Sequence, residues 1–144
     1  MRIEAHKTKN DEELEVVFKI RRAVFVEEQK VSEEDEFDEF ESESKHFIAY
    51  IDSEPAGAAR WRITEKGIKL ERFAILDKFR AKGIGSALVD AVLKDIESEG
   101  LKDQKLYLHS QIHAVPLYEK FDFEKVGDEF LECDIRHFEM QRIL

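Results

Sequence analysis

The 144-residue sequence has little cysteine, proline or glycine: Cys133 is alone, and there are two prolines and six glycines. One cysteine excludes an internal disulfide and a cysteine-based metal site. No apolar run approaches the roughly 20 residues that a membrane span needs, and the N-terminus lacks the apolar core of a signal peptide. These absences predict a cytoplasmic protein with no membrane partner. The length predicts one domain over residues 1–144.

Basic residues are also in deficit, since 23 Lys and Arg face 33 Asp and Glu and leave a net charge of −10. Nucleic acids are bound through concentrated Lys and Arg, so this balance excludes them as expected partners. Residues 27–43, the acidic segment, contain one basic residue and ten carboxylates: Glu27, Glu28, Glu33, Glu34, Asp35, Glu36, Asp38, Glu39, Glu41 and Glu43. Such a run is either a solvated loop or helix face, or an entrance that attracts a cationic substrate.

Apolar alternation bounded by turn residues predicts five strands and a final hairpin. The strands are expected at residues 2–7, 46–51, 56–64, 68–76 and 105–110, and the hairpin over 124–144. A strand–helix–strand crossover over residues 68–110 requires a parallel pair within an otherwise antiparallel arrangement. The pattern therefore predicts a mixed sheet in an α/β or α+β domain.

Four helices are expected beside these strands, one of them a short helix followed by a loop in the acidic segment. Asn10 and Glu13 form a candidate capping box for the first helix. An apolar stripe at helical spacing predicts a long helix that begins near Gly83 and ends before Gly100. A short helix is expected within residues 114–121.

A basic turn precedes the long helix, in the segment LERFAILDKFRAKGIGSALVDAVL at residues 70–93. The first N–H groups of a helix have no backbone partner and lie at the positive end of its dipole, which favours a phosphate. Arg80 and Lys82 add charge, and the two glycines of the turn have no Cβ to keep an anion away. A P-loop motif is absent, and a dinucleotide fingerprint would need a third glycine where Leu88 stands.

Residues 80–85, Arg-Ala-Lys-Gly-Ile-Gly, resemble the R/Q-x-x-G-x-G/A turn of the Gcn5-related N-acetyltransferase (GNAT) superfamily, which grips the pyrophosphate of acetyl-coenzyme A (acetyl-CoA). The resemblance extends to RFAILDKF before the turn and to QIHAVPLYEKFDF after the next strand. RRAVFVEEQ, FDE, IRHFEM and the pair Gln111 and Tyr118 are similar to the ElaA-like branch. Asp122 and Asp134 replace family glycines, and because Asp tolerates left-handed backbone angles we expect both turns to persist.

The resemblance implies a mostly antiparallel mixed sheet with one splayed parallel pair, flanked by helices. It implies an acetyl-CoA-dependent N-acetyltransferase that needs no metal and acetylates an amine of a small molecule or peptide. The pantetheine arm would pair with the backbone of Phe73, Ala74 and Ile75 as an added strand. The pyrophosphate would contact the turn formed by Arg80, Ala81, Lys82, Gly83, Ile84 and Gly85. Gln111 would contact cofactor or substrate, or else it enters the short helix without a ligand.

The chemistry of acetyl transfer needs a proton donor and a proton acceptor. Tyr118 is the candidate acid for the departing thiolate, because phenols and thiols have pKa values of about 10 and about 8.5; the alternative is a core aromatic. Glu71 is the candidate base for the amine, directly or through water, and the alternative is an ion pair with an arginine of the preceding strand. Glu27 and Glu28 are alternative ligands of the amine.

The remaining candidates are histidines and the cysteine. His109 and His113 are separated by a strand end and share no helix face, which disfavours a metal site. His137, within IRHFEM, is expected either to line the substrate site or to be a hydrogen-bonded structural residue. Cys133 lies between two carboxylates, which disfavour a thiolate nucleophile.

A noncatalytic acyl-CoA-binding sensor or interaction module is the alternative to an enzyme. Replacement of Tyr118 would favour it, and the tyrosine is present. Exposed strand edges and the C-terminal hairpin are compatible with a homodimer.

Overall fold

The computed structural model describes residues 1–101 and 103–143. The strands are β1 (Ile3–Lys7), β2 (Lys45–Ile51), β3 (Glu54–Thr64), β4 (Gly67–Ile75), β5 (Lys105–Gln111), β6 (Glu124–Glu132) and β7 (Ile135–Ile143). The α-helices are α1 (Asp11–Arg21), α2 (Glu33–Glu36), α3 (Ile84–Ser98) and α4 (Val115–Glu119). A π-helical segment (Arg22–Glu28) continues α1, and 3₁₀ turns (Asp77–Phe79 and Ile112–Ala114) precede α3 and α4. Within residues 1–101 and 103–143 no helix is long and apolar enough to cross a membrane.

The described strands form one sheet in the order β1-β2-β3-β4-β5-β7-β6. The first four strands are an antiparallel meander, and β5, β7 and β6 are a second antiparallel group. The two groups meet at β4 and β5, which are parallel because α3 carries the chain back to the same end of the sheet. The predicted mixed, mostly antiparallel sheet is therefore confirmed.

Local signals in the sequence set several boundaries as expected. The Asn10 side chain caps α1 by accepting a hydrogen bond from the Glu13 N–H at 2.9 Å. Gly100 follows α3 with φ 74, the left-handed conformation that commonly ends a helix. Asp122 and Asp134 have φ 68 and φ 61, so both turns that depart from the family's glycines do use left-handed backbone.

Apolar side chains pack on both faces of the sheet. The α3 face carries the larger core, in which α3 and α4 cover residues such as Trp61, Leu70 and Met140. The opposite α1 face carries a smaller core, in which α1 covers residues such as Ile48 and Ala58. The strands of the second antiparallel group extend the α1 face as a polar surface, where the site described below is built.

The acidic segment is held down by buried arginines. Arg21 is 1% exposed and lies 2.6 Å from Glu36 and 2.7 Å from Glu41. Arg60 is 0% exposed and lies 2.7 Å from Asp38 and from Glu41. A buried guanidinium is costly unless it is paired, so these carboxylates fix the segment on the α1 face. Neither sequence interpretation, a solvated surface or a substrate entrance, included this pairing.

Candidate active site

The site lies where β4 and β5 separate. Among the described residues the two strands pair at Ile68 with Leu106 and at Lys69 with Tyr107, and their ladder ends there. A cavity of about 770 Å³ occupies the gap beyond. Both strands, the start of α3, α4, the π-helical segment and the β6–β7 turn line it. The splayed parallel pair that the resemblance implies is present.

A β-bulge shapes the β4 side of the gap. Ala59 of β3 lies opposite two residues of β4, Arg72 and Phe73, and Arg72 has a left-handed φ of 60. Contacts of its guanidinium with two carboxylates of the acidic segment, each at 3.1 Å, offset the cost of that backbone, about 1–2 kcal/mol. Strict alternation would put residues 71 and 73 on one face. The extra residue instead leaves Glu71 on the α1 face and turns Phe73 to the α3 face.

Alternate backbone groups of β4 face the gap. The Leu76 N–H donates to the Ala56 carbonyl at 2.9 Å, so the backbone of Ala74, two residues earlier, also faces β3. The intervening Ile75, and Phe73 beyond Ala74, then direct their N–H and carbonyl groups into the gap. The expected contact of Ala74 with the pantetheine arm is therefore corrected, because its backbone faces β3 and its side chain packs in the α1-face core.

The start of α3 points into the cavity. Gly83 precedes the helix with φ 95 and ψ 5, a conformation that favours glycine. The first turn of the helix, residues 84–86, lines the cavity with backbone N–H groups that have no intrahelical acceptor. Gly85 also serves packing, since a Cβ there would lie 3.0 Å from the Leu117 side chain of α4. Ser86 is a lining residue that the motif did not single out.

Arg80 carries the charge of this turn. Its guanidinium donates to both Glu28 carboxylate oxygens, at 2.6 and 2.7 Å, and twice to the Ile75 carbonyl, at 2.9 and 3.0 Å. The hydrogen bond between Arg80 and Glu28 raises the pKa of Arg80 and lowers the pKa of Glu28. Ala81 lines the cavity beside Arg80, whereas Lys82 is exposed and outside the lining, so its expected contact stays a prediction.

The two carboxylates expected to bind the amine lie on the π-helical segment. Glu28 lines the cavity at the Arg80 end and is held there by the guanidinium. Glu27 is exposed and outside the lining. Their role as ligands of the amine stays a prediction.

Glu71, the expected base, lies among cations. Its carboxylate is 2.7 Å from Arg60, 2.7 Å from Arg62 and 3.4 Å from Lys69. Burial alone would raise the pKa of Glu71, but the charges of Arg60, Lys69 and Arg72 outweigh it and lower the pKa to about 2. Such a carboxylate is a weak proton acceptor. The cross-strand ion pair, the alternative interpretation, is what the structure contains.

Tyr118 lies on the α3 face of the cavity. It is 6% exposed, and its ring centroid is 5.7 Å from that of Phe73 and 6.3 Å from that of Phe123. Burial raises the pKa of the Tyr118 phenol, which keeps it protonated well beyond neutral pH. The residue is therefore a core aromatic that also lines the cavity.

The end of the cavity on the α1 face carries a chain of imidazoles and carboxylates. His109 Nδ1 is 3.0 Å from Glu132 Oε1, and His109 Nε2 is 3.3 Å from Glu139 Oε1. The other oxygen of Glu132, Oε2, is 3.7 Å from His137 Nε2. His137, which was expected to line the substrate site or to be structural, does line the cavity and is buried.

The register of β5, β6 and β7 places these imidazoles and carboxylates next to one another. β5 and β7 pair His109 with Glu139, and β6 and β7 pair Phe130 with His137. Cross-strand partners share a face, so side chains distant in sequence meet on the α1 face. The sequence interpretation considered His109 only as a metal ligand and Glu132 only as a neighbour of Cys133. The strand order β5-β7-β6 was the missing information.

Gln111 links the two ends of the cavity wall. Its side-chain amide exchanges two hydrogen bonds, at 2.9 and 3.3 Å, with the amide of Gln29. Both residues line the cavity. The pair ties the π-helical segment to the end of β5, which keeps the Glu28 side of the cavity in place.

The two remaining sequence candidates are His113 and Cys133. His113 lies in the 3₁₀ turn after β5. No group of three or more His, Cys, Asp or Glu side chains is placed to hold a metal ion within residues 1–101 and 103–143. Burial, together with the carboxylates of Asp35 and Glu132, raises the pKa of the Cys133 thiol, as expected for a poor nucleophile.

Comparison with known proteins agrees with this geometry. Residues 6–144 match the family model of the acetyltransferase (GNAT) domain. The uncharacterized N-acetyltransferase YjcF of Bacillus subtilis (strain 168) is 38% identical over 135 residues, which cover 93% of this chain and 95% of that protein. The chain belongs to the GNAT family.

Two solved structures share the fold. An acyl-CoA N-acyltransferase from Pseudomonas aeruginosa superposes with a TM-score of 0.83 at 26% identity, and Escherichia coli ElaA with a TM-score of 0.84 at 23% identity. Each comparison covers 98% of this chain and 99% of the other. The protein is an acetyl-CoA-dependent N-acetyltransferase, with acetyl-CoA as its co-substrate.

Proposed function

We propose that the protein transfers the acetyl group directly from acetyl-CoA to an amine of a small molecule or peptide, without a covalent enzyme intermediate. The carrying observation is a cavity at the splay that Tyr118 lines on the α3 face and His137 and Glu132 line on the α1 face. Donor and acceptor can then meet from opposite sides of the sheet, which holds them in a reactive orientation. Cys133, the one thiol, has a raised pKa and is poorly suited to accept an acetyl group.

The donor half of the site is proposed to use the turn before α3 and the free edge of β4. The N–H groups of residues 84–86 and the guanidinium of Arg80 suit a pyrophosphate in charge and geometry. The Phe73 backbone and the Ile75 N–H would pair with the amide groups of the pantetheine arm as an added strand, since the Ile75 carbonyl already accepts from Arg80. A backbone N–H of this edge would then lie near the thioester oxygen and stabilise the tetrahedral oxyanion.

The acceptor half is proposed to take a cationic amine. Asp35, Glu36 and Glu132 line this end of the cavity. Glu36 is paired with Arg21 and Arg72, so Asp35 and Glu132 are the carboxylates that would attract the cation. Arg72 and Lys69 line it as well. The acceptor therefore meets a mixed polar surface rather than a purely acidic one, which suits a substrate with hydrogen-bonding groups beside its ammonium.

The test is an acetylation assay with a panel of amines: ethanolamine, phenethylamine, spermidine, glucosamine and a lysine-containing peptide. Release of the CoA thiol and formation of the N-acetyl product are measured together. We expect one CoA thiol for each acetylated amine. Binding of acetyl-CoA without turnover of any amine would refute the proposal and favour an acyl-CoA-binding module.

Tyr118→Phe tests the acid. We expect kcat to fall on the order of 10²-fold, because the thiolate then leaves without a proton donor, while the Kd for CoA stays the same. Isothermal titration calorimetry and steady-state kinetics measure the two quantities. A fully active variant would remove Tyr118 from the mechanism. The cytoplasmic location and the homodimer stay predictions from the sequence.

A further inference from the structure

His137 and Glu132 lie side by side in the cavity wall on the α1 face. The Nδ1 of His137 lies 2.7 Å from the Ile135 carbonyl, which can only accept, so Nδ1 carries the proton of the neutral ring. The lone pair of the neutral imidazole is therefore on Nε2, which lies 3.7 Å from Glu132 Oε2. Two acceptors at this separation can both lie about 2.9 Å from one nitrogen, the usual length of an N–H···O bond.

The surroundings hold both acceptors in place. The Phe130 ring stacks on His137 with centroids 5.8 Å apart and an interplanar angle of 25°. His109 Nδ1 engages the other oxygen of Glu132 at 3.0 Å. That hydrogen bond lowers the pKa of Glu132, so the carboxylate is ionised at neutral pH and Oε2 remains for an external donor.

We propose that His137 is the general base that deprotonates the acceptor and that Glu132 binds the acceptor's ammonium beside it. This inference rests on the proposed direct acetyl transfer. It assigns the proton acceptor to β7 rather than to Glu71, whose lone pairs are engaged by three cationic side chains.

The proton balance is complete with these residues. The ammonium R–NH3⁺ gives one proton to His137 Nε2 and becomes a neutral amine, and Glu132 Oε2 stabilises the imidazolium that forms. The amine nitrogen bonds to the thioester carbon, and the C–S bond then breaks. Tyr118 protonates the leaving thiolate, and the second amine proton passes through cavity water to restore the phenol. The imidazolium returns its proton to solvent beside Glu132, whose side chain is 43% exposed.

Other charged groups face the same end of the cavity and contribute to its pH dependence. From α2, β4, β5 and the β6–β7 turn these are Asp35, Glu36, Lys69, Glu71, Arg72, His109 and Cys133. A base is therefore best identified by replacement and by chemical rescue, in addition to a pH profile.

The first experiment compares His137→Gln with His6→Gln, a histidine substitution on β1 at the far edge of the sheet. We expect His137→Gln to lower kcat about 10²- to 10⁴-fold with an unchanged Kd for CoA, and to lose the acidic limb of the kcat/KM profile. Added imidazole should restore part of the activity of His137→Ala. Wild-type kcat in His137→Gln, or a retained acidic limb without imidazole rescue, would overturn the proposal.

The second experiment uses Glu132→Gln, at a half-exposed position where folding is less at risk. We expect the KM for the amine to rise about 10- to 100-fold, because a charge-assisted hydrogen bond to the ammonium is lost. The Kd for CoA should not change. An unchanged amine KM would contradict the assignment of Glu132 as the ammonium ligand.

A binding measurement separates failure of this inference from failure of the proposed function. If the wild type acetylates no amine, the proposed function falls, but methylammonium chloride can still be titrated against ¹⁵N-histidine-labelled protein. We expect the His137 ring signals to move, the His6 signals to stay, and the His137 response to disappear in Glu132→Gln. No response of His137 in the wild type would overturn the ammonium site.

Discussion

Glu28 forms an ion pair with the Arg80 guanidinium, the group that a pyrophosphate would also need. Both Glu28 oxygens accept hydrogen bonds from Arg80, at 2.6 and 2.7 Å. A pyrophosphate can take the same two donors only when this carboxylate leaves. Arg80 does not depend on Glu28 for its orientation, because the Ile75 carbonyl also holds its Nε and Nη2 groups. Glu28→Gln should therefore tighten CoA binding rather than weaken it.

The size of the expected change in CoA affinity follows from the solvent exposure of Arg80 and Glu28. The two side chains are 38% and 42% exposed, and ion pairs of that kind contribute about 0.2–1 kcal/mol. Removal of the competing charge should lower the Kd for CoA about 1.4- to 5-fold. Glu27→Gln is the matched control, since it removes the same charge from the adjacent exposed position outside the cavity.

Isothermal titration calorimetry with CoA, at low and at high salt, measures the effect. We expect Glu28→Gln to bind more tightly than both the wild type and Glu27→Gln, with a difference that shrinks as salt screens the charges. Weaker binding in Glu28→Gln would show that the carboxylate positions Arg80. Equal affinities of the two variants would show that the ion pair does not compete with the phosphate.

Two further predictions concern stability. Gly67→Ala should unfold at much lower urea than Gly127→Ala, because a Cβ at Gly67 would collide with the Lys105 carbonyl at the β4–β5 junction, whereas nothing lies within 4 Å at Gly127; equal midpoints would contradict this packing. Glu71 has a folded pKa of about 2 against an ordinary 4.5. A group whose pKa is lower in the folded protein stabilises the folded state at pH values above its ordinary pKa. That stabilisation is lost as the pH falls through the folded pKa. The free energy of unfolding should therefore drop on the order of 3 kcal/mol between about pH 5 and about pH 2, and Glu71→Gln should flatten this dependence in urea titrations.

Local sequence determined much of the fold and the donor half of the site. Alternation and turn residues are short-range signals, so the strands, the α3 stripe and the Gly83 turn could be predicted directly. The bulge at Arg72 could not, because no glycine marks it and its left-handed backbone depends on contacts with Glu36 and Asp38 from another part of the chain.

The acceptor half depended on strand order. His109, Glu132 and His137 come from three strands, and only the order β5-β7-β6 places them on one face. The Glu28–Arg80 pair likewise joins residues 52 apart. Pairings of this kind follow from topology, which a single sequence does not specify residue by residue.

The account depends most on the free edge of β4 as the place where acetyl-CoA binds. Amide hydrogen exchange by NMR, with and without acetyl-CoA, measures it directly. We predict new protection of the Phe73 and Ile75 N–H groups, which face the gap, and no change at Ala74, which already faces β3. Protection at Ala74 instead, or no new protection along β4 at saturating acetyl-CoA, would contradict the assignment of the splay as the donor site.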